Sequence, residues 1–586
     1  MKSIRGSDCT HSTRRYESVS TEKADGAIYT PCLLADFVAR EIMRVAPPFP
    51  QGATVRLLDP AVGHGQLLLS LLAEVRKLRP DLELIACGFE TSLPAIEIAS
   101  GSIRQHFPSV RIEIAQGSFL DYVLAHYPPA DAGALFTAKE DPPYDLVIAN
   151  PPYVRTQIMG AAAAQQLSET FGLTGRIDLY HPFIIGMAQV LKSSGTAGII
   201  VSNRFMTTKA GKAVRRVVAE MFGIHHVWDL GDTRLFSAAV LPAVLILRGK
   251  GMKAEAGLSF SSIYSTEETG ENKASNPIEA LSFAGIIRTP DGRSFNVQHG
   301  KLSSSYKNSS EPWRIATPST DAWLAKVASN TWGTFQAIGK IRVGIKTCAD
   351  SVFIRDDWDS QCPGKMPELL RPLMTHHVAR RFRARHVEPP RMVLYPHEMR
   401  DGHKRAVDIS AYSSAAEYLE RYRDVLLARK YVLDAGRQWY ELWVPQDPAA
   451  WGHPKLVFRD IAEHPTFWLD LEGAVVNGDC YWLVASEPAN ESLLWLAAAV
   501  ANSTFAEAFY DHKFHNKLYA GRRRFMTQYV EQFPLPDPQS PSGEALMREA
   551  KAIYEALPSS DTTHLEQELD VHVWDTFGLD PEERCR

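Results

Sequence analysis

The sequence predicts an open α/β sheet, mainly parallel and ending in an antiparallel hairpin, followed by a second unit of α+β class. Three observations carry this. Residues 53–250 alternate short apolar runs with helical periodicities, the pattern of an open sheet with covering helices. At the end of that block, apolar runs at 225–230 and 244–248 follow each other with no helix-length segment between them, so they pair as antiparallel strands. After a stretch rich in Ser, Thr, Gly, Asn and Lys, a segment dense in tryptophan and tyrosine runs from 313 to 538.

In chain order, the strand candidates of the first block are 55–58, 84–89, 110–115, 145–149 and 197–202, with helices expected at 66–77, 94–105, 178–191 and 209–222. Residues 1–23 read as an N-terminal extension, and 24–250 as the first domain. The polar composition of 251–312 predicts a linker. Residues 313–538 form the second domain, closed by the Pro-rich FPLPDPQSPSG, and 539–586 a helical tail with a helix at 544–557.

At 45% apolar and 22% charged, the 586 residues are those of a globular chain and exclude a disordered or collagen-like one. The longest apolar runs are about nine residues, far short of the roughly 20 that span a bilayer, and the N-terminus lacks the apolar core of a secretory signal. No membrane partner is therefore expected. The seven cysteines are scattered without a CxxC pair, which predicts a reduced, cytoplasmic protein with no metal. The net charge of −5 hides an asymmetry: residues 371–440 hold 14 Lys and Arg against 8 Asp and Glu, and HKFHNKLYAGRRR follows at 512–524. Basic patches of this kind attract phosphates.

Two motifs carry chemistry. The first is Asp59-Pro60-Ala61-Val62-Gly63-His64-Gly65, where an apolar strand runs through a Gly-rich turn into a helix. Glycines there let the backbone approach a ligand at the carboxyl end of a parallel strand. The second strand ends at Glu90, 25 residues after Gly65, placed to accept hydrogen bonds from ribose hydroxyls. The second motif is Asn150-Pro151-Pro152-Tyr153, delivered by strand 145–149. Consecutive prolines fix the backbone and end the strand. The Asn150 amide oxygen and the Pro151 carbonyl can then both accept hydrogen bonds from one exocyclic amine, while Tyr153 stacks on its ring. Asp141-Pro142-Pro143-Tyr144 has a similar pattern but precedes the strand, so it is expected at the wrong end of the sheet.

With these motifs the chain resembles the S-adenosyl-L-methionine-dependent DNA adenine-N6 methyltransferases of restriction–modification systems. The resemblance implies a Rossmann-like methyltransferase domain followed by a TaqI-like target-recognition domain, double-stranded DNA as partner, and possibly a separate restriction endonuclease. Tyr29, Thr30 and Pro31 match the motif packed near the cofactor's methionine. Asp59, Ala61, Gly63 and Gly65 match the Gly-rich loop, and Glu90 the ribose acid. Asn150, Pro151, Pro152 and Tyr153 match the catalytic motif, Asp178-Leu179-Tyr180 a pocket motif, and Ser202-Asn203-Arg204-Phe205 the strand after it. Phe236 falls where a second aromatic sandwiches the flipped base. Where the family usually carries an acid before Phe-Leu, Ser118 precedes Phe119. Serine still accepts a hydrogen bond, and Asp121 is the nearby carboxylate that can stand in. The segments Ile341-Arg342-Val343-Gly344 and Phe533-Pro534-Leu535-Pro536 resemble the opening and close of the specificity domain. There Arg380, Arg381, Arg383, Arg385, Arg522, Arg523 and Arg524 are the candidate DNA contacts.

Two other readings stay open at this stage. Asn-Pro-Pro-Tyr also occurs in methyltransferases of protein glutamine or RNA bases, and a catalytically silent DNA-binding module would keep the same fold. About 26 residues precede the first cofactor motif, too few for a nuclease domain, so any cleavage partner is expected on another chain.

Overall fold

The computed structural model describes residues 30–127, 143–153, 161–173, 178–236, 241–250, 258–303, 308–309, 311–514, 518, 521–580 and 583. The chain forms two compact units, Met1–Thr317 and Pro318–Arg586.

The first unit is built on a twelve-stranded sheet of spatial order β3-β2-β1-β4-β5-β7-β6-β8-β11-β10-β9, with β12 beside β11. Its strands are β1 (Thr54–Asp59), β2 (Glu83–Glu90), β3 (Arg111–Gln116), β4 (Tyr144–Ala149), β5 (Leu191–Ser202), β6 (Phe222–Asp229) and β7 (Pro242–Gly249). They continue with β8 (Ser259–Thr266), β9 (Asn272–Lys273), β10 (Gly285–Arg288), β11 (Ser294–Leu302) and β12 (Ile315–Ala316). From β3 to β5 all pairings are parallel. β7 then lies antiparallel between β5 and β6, so the expected antiparallel end is present.

The helices are α1 (Cys32–Val45), α2 (Gln66–Leu78), α3 (Leu93–His106), α4 (Phe119–His126), α5 (Ala161–Thr170), α6 (Tyr180–Val190) and α7 (Lys212–Met221). Successive strand residues point to opposite faces, and both faces are covered, which is why these strands read as unbroken apolar runs. Leu57, Leu146, Ile148 and Ile200 join α1 and α2 in one core, while Leu58, Val147, Ala149 and Ile199 join α4, α6 and α7 in the other. On α1, Leu34, Phe37, Val38, Ile42 and Val45 recur at helical spacing and are all buried. The helix presses so closely on β5 that a Cβ at Gly198 would stand 2.6 Å from Val38 Cγ1. Because β2 and β4 flank β1 on opposite sides, the chain reverses direction across the sheet there, and such a switch point opens a crevice at the strands' carboxyl ends.

The expected linker is the main departure. Strands β8 to β11 lie within that segment and, with β12 just beyond it, continue the same sheet. Ser261 and Ser262 sit at buried positions of β8, so the strand lacks an apolar signature. Ser261 is satisfied by His226 Nε2 at 2.9 Å and His299 Nδ1 at 2.8 Å. Trp313, expected to open the second domain, packs instead on Phe205 of the first unit, with ring centroids 5.4 Å apart.

The second unit has a five-stranded sheet in the spatial order Ile341–Val343, Cys480–Val484, Lys455–Arg459, Phe467–Asp470 and Phe382–Arg383. Leu456, Phe458, Phe467, Leu469 and Leu483 face one core, and Val457, Trp468 and Trp482 the other. The expected tail is no appendage. Helices Pro541–Ala556 and Thr563–Thr576 bury Leu546, Ile553, Leu569 and Trp574 in the first of these cores. Among the described residues, no single helix is long and apolar enough to cross a membrane.

Candidate active site

β1 ends in Asp59, and the turn to α2 is held by its own backbone and by β2. Asp59 Oδ1 accepts from the Ala61 N–H at 3.0 Å, and the Val62 N–H donates to the Phe89 carbonyl at 3.0 Å. Gly63 (φ 52°) and Gly65 (φ 87°) take left-handed conformations that a side chain would strain. The Gly63 N–H donates to Glu90 Oε2 at 2.9 Å, and Glu90 Oε1 accepts from the Ser92 N–H at 2.9 Å. Glu90 is thus fixed at the end of β2, bridging the Gly-rich turn and the start of α3.

These elements enclose a cavity of about 560 Å³ at the switch point. Ala61, Gly63 and Glu90 line one side, Ser118 and Phe119 another, and Asn150 with Pro152 a third. Phe119 packs against Phe89 and Phe183 at tilted angles, each with centroids 5.6 Å away, giving the cavity an apolar wall. Asp59 lies beneath the loop, 1% exposed, and its Oδ2 is buried without a hydrogen-bond partner. Burial, with repulsion from Glu90 adding to it, pushes its carboxyl up to about 7.

Ser118 lines the cavity and caps α4, its Oγ accepting from the Leu120 N–H at 3.2 Å. Asp121 stands in the first turn of α4, solvent-exposed and outside the cavity lining, so it does not replace the expected acid. Gly65 also lies behind the lining, where its missing Cβ admits Ala99 of α3.

β4 delivers Asn150 to the cavity mouth, with Pro151 buried behind it. The Asn150 amide Nδ2 donates to Thr30 Oγ1 at 3.0 Å, across 120 residues of sequence. Tyr153 donates to the Ile200 carbonyl at 3.3 Å, and burial keeps its phenol far above its ordinary value, a neutral hydroxyl. Its ring is 6.1 Å from that of Tyr180, the first residue of α6. Thr30 and Pro31 lead into α1; Tyr29 lies outside the described residues, as does Asp141. Tyr144 opens β4 at the end away from Asn150.

Phe236 is 5% exposed and belongs to the core with Phe37, Ile148 and Trp228, whereas Tyr153 packs on the core of the opposite sheet face. The structure does not bring the two rings together. Sequence reasoning missed Ser92 and Phe183 as lining, whereas Leu179 of the pocket motif Asp178-Leu179-Tyr180 does line the cavity. It also missed the buried network at the ends of β5, β6 and β8, in which Asn203 Nδ2 donates to Asp229 Oδ1 at 3.0 Å and Tyr264 donates to Asp229 Oδ2 at 2.6 Å. Asp229 and Tyr264 stand 26 and 61 residues from Asn203, with no motif to join them.

In the second unit, the arginines divide by burial. The Arg523 side chain is 6% exposed and paired with Asp511 at 2.6 Å and Glu507 at 2.9 Å. Arg524 pairs with Asp460 at 3.0 Å, and Arg383 stacks over Tyr554 at 4.7 Å. Arg381 donates to the Asn502 carbonyl at 3.3 Å and faces Glu566 at 3.5 Å. These four are engaged within the protein, and Arg523 is too buried to reach a DNA backbone. Arg380 bonds the Arg383 carbonyl, and Arg385 lines a separate hollow of about 570 Å³. Among the described residues, no group of three His, Cys, Asp or Glu could hold a metal ion.

Comparison with known proteins follows the same division. A family model described as the Eco57I restriction-modification methylase matches residues 98–236, and one described as the TaqI-like C-terminal specificity domain matches 405–535. The chain is 36% identical over 546 residues to the type II methyltransferase M.BanIII of Aneurinibacillus aneurinilyticus, covering 89% of this chain and 92% of that one. It is 25% identical over 592 residues to the type II methyltransferase M.PaeR7I of Pseudomonas aeruginosa, covering 97% and 95%. Among solved structures, the fold is similar to DrdV in its DNA complex, with a TM-score of 0.50, 13% identity, and coverage of 93% of this chain and 60% of that one.

Proposed function

The chain belongs to the type II methyltransferases of restriction–modification systems, and from that premise we propose that it methylates the exocyclic N6 of adenine in double-stranded DNA. The observation that carries this reading is the Asn150 amide, held at the cavity mouth on a double-proline platform beside the Gly-rich loop.

The first-unit cavity fits S-adenosyl-L-methionine. The buried, unpartnered Asp59 Oδ2 suits a neighbouring cationic group, and Glu90 keeps lone pairs for ribose hydroxyls. Ala61, Gly63 and Gly65 shape the loop, Ser118 and Phe119 flank the adenine end, and Thr30 with Pro31 approaches the methionine end. When bound, the cofactor supplies an electrophilic methyl group on a sulfonium.

The chain's own residues prepare the acceptor. Adenine's amine lone pair is delocalised into the ring and is a poor nucleophile. Asn150 Oδ1 and the Pro151 carbonyl accept its two hydrogens and draw it toward tetrahedral geometry, so that the lone pair turns to the methyl. Transfer would make one N–C bond for one S–C bond broken, and the surplus amine proton would pass to water. Tyr153 stacks on one face of the extruded base, offsetting part of the few kcal/mol that flipping costs. Phe236 is assigned the other face, which requires its ring to leave the core. Holding both reactants in attack geometry supplies much of the rate.

The second unit reads the DNA. Arg385 and Arg522 are the phosphate or base contacts left once the internally bonded arginines are set aside, and Arg380, held to the Arg383 carbonyl, flanks them. The proposed setting is cytoplasmic. The test is transfer of labelled methyl from S-adenosyl-L-methionine to unmethylated duplex DNA, followed by nucleoside digestion and mass analysis. N6-methyladenine that disappears with Asn150→Ala supports the reading; methyl on cytosine N4, or none on DNA, overturns the adenine assignment.

A further inference from the structure

We propose that Thr30 is a positioning residue for the Asn150 amide, anchoring it by a hydrogen bond where its acceptor meets the substrate amine. The inference rests on the reading above and adds to it a part played from outside the catalytic motif. An asparagine amide presents a donor at one end and an acceptor at the other, nearly equal in shape. Only the acceptor end serves an exocyclic amine; turned by 180°, the amide would set its own N–H against the substrate's. In the structure the Thr30 hydroxyl accepts from Nδ2 at 3.0 Å, so the donor end is engaged by the protein; an amine accepted at Oδ1 keeps that same arrangement, with the Thr30 hydroxyl anchoring the amide.

The hydroxyl is itself rigidly placed. The Pro31 carbonyl, next in the chain, accepts from the Leu34 and Ala35 N–H groups at 3.0 Å each, so Thr30 is bound to the first turn of α1. That helix lies against Gly198 of β5 with no room for a methyl group. It is also tied to the Gly-rich loop. Asp36 Oδ1 accepts from Ser70 Oγ at 2.6 Å, and Ser70 Oγ accepts from Nε2 of Gln66, the residue after Gly65, at 3.2 Å. One helix therefore links the loop proposed to hold the methyl donor with the amide proposed to hold the acceptor.

The test compares Thr30→Val, which keeps the shape and removes the hydroxyl, with Thr30→Ser, which keeps the oxygen. Single-turnover methyl transfer to unmethylated genomic duplex DNA is measured at saturating S-adenosyl-L-methionine, and cofactor dissociation constants by equilibrium dialysis. Loss of one hydrogen bond to the buried amide sets the scale. Thr30→Val is expected to slow transfer roughly ten- to a hundredfold, with cofactor affinity changed by less than about threefold, and Thr30→Ser to recover most of the rate. If melting shows Thr30→Val unfolded, Thr30→Ala takes its place against the same serine control. An unchanged rate in Thr30→Val, with Asn150→Ala inactive, overturns the inference and leaves the proposed function standing. Weakened cofactor binding with an unchanged rate at saturation also overturns it, making Thr30 a cofactor contact alone. An active Asn150→Ala instead removes the reading on which the inference rests.

Discussion

Asp59 should make cofactor binding depend on pH. Its carboxyl is fully buried, one oxygen has no hydrogen-bond partner, and its midpoint lies at about 7 rather than 3.8. A displacement of that size corresponds to roughly 4 kcal/mol of preference for the neutral form. A cationic group bound nearby reverses that preference, so binding must expel a proton at any pH below about 7. The dissociation constant of S-adenosyl-L-methionine should then approach a tenfold rise per pH unit well below the midpoint, about sixteenfold between pH 7 and 5.5, and level off above pH 8. Isothermal titration across that range measures it, in buffers of different ionisation enthalpy to count the released proton. Asp59→Asn should bind more weakly at pH 8 and lose the slope. A flat profile for the parent, or the same slope in Asp59→Asn, would refute the reasoning, since the titrating group would then be another. The sign also reaches folding. A carboxyl whose folded midpoint is raised adds stability below its unfolded midpoint and loses it as pH rises through about 7. The ligand-free parent should therefore lose melting temperature relative to Asp59→Asn between pH 5 and 8.

The remaining predictions concern packing, charge and DNA. Gly198→Ala forces Val38 and Ile42 away from β5 and should cost about 1–3 kcal/mol, seen as a melting temperature lower by a few degrees, with slower methyl transfer as α1 carries Thr30 off Asn150. Lys455 and Asp470 form a fully buried ion pair at 2.6 Å, with burial pulling the lysine below its ordinary range. Lys455→Met leaves the carboxylate stranded and should cost about 3–5 kcal/mol by chemical denaturation, partly restored by Asp470→Asn; a change under about 1 kcal/mol would contradict the pairing. Arg385→Ala and Arg522→Ala should each weaken DNA binding and lower the salt-dependence slope by about one. Arg523→Ala should instead destabilise the fold, because it strands Asp511 and Glu507.

Much of the first unit was legible because its chemistry and its strands coincide. The apolar strands that become β1 and β4 end abruptly in glycine and double-proline turns, so both motifs could be assigned to the carboxyl edge of a parallel sheet. Glu90 followed from its spacing. The extension of the sheet through β8 and β11 was hidden because its buried positions include serines, of which Ser261 is satisfied by two histidines. The Thr30–Asn150 bond joins residues too far apart in sequence for any periodicity to pair. The arginine run at 522–524 shows the sharpest limit. Three identical residues in a row carry no mark of burial, yet Arg523 is buried in an ion-pair network while Arg524 is held by Asp460. Asp121 and Ser118 differ in the same way, one turned to solvent and the other capping the helix at the cavity.

The most direct measurement is the identity of the methylated nucleoside. Parent and Asn150→Ala proteins, matched for folding and for cofactor binding, are incubated with unmethylated duplex DNA and labelled S-adenosyl-L-methionine, and the digested nucleosides are resolved by mass. The account predicts N6-methyladenine with the parent and a loss of about a hundred- to a thousandfold with Asn150→Ala, the scale on which a removed transition-state hydrogen bond is felt. Equal methylation by both proteins would contradict it, as would a parent that binds cofactor and DNA yet leaves adenine unmodified.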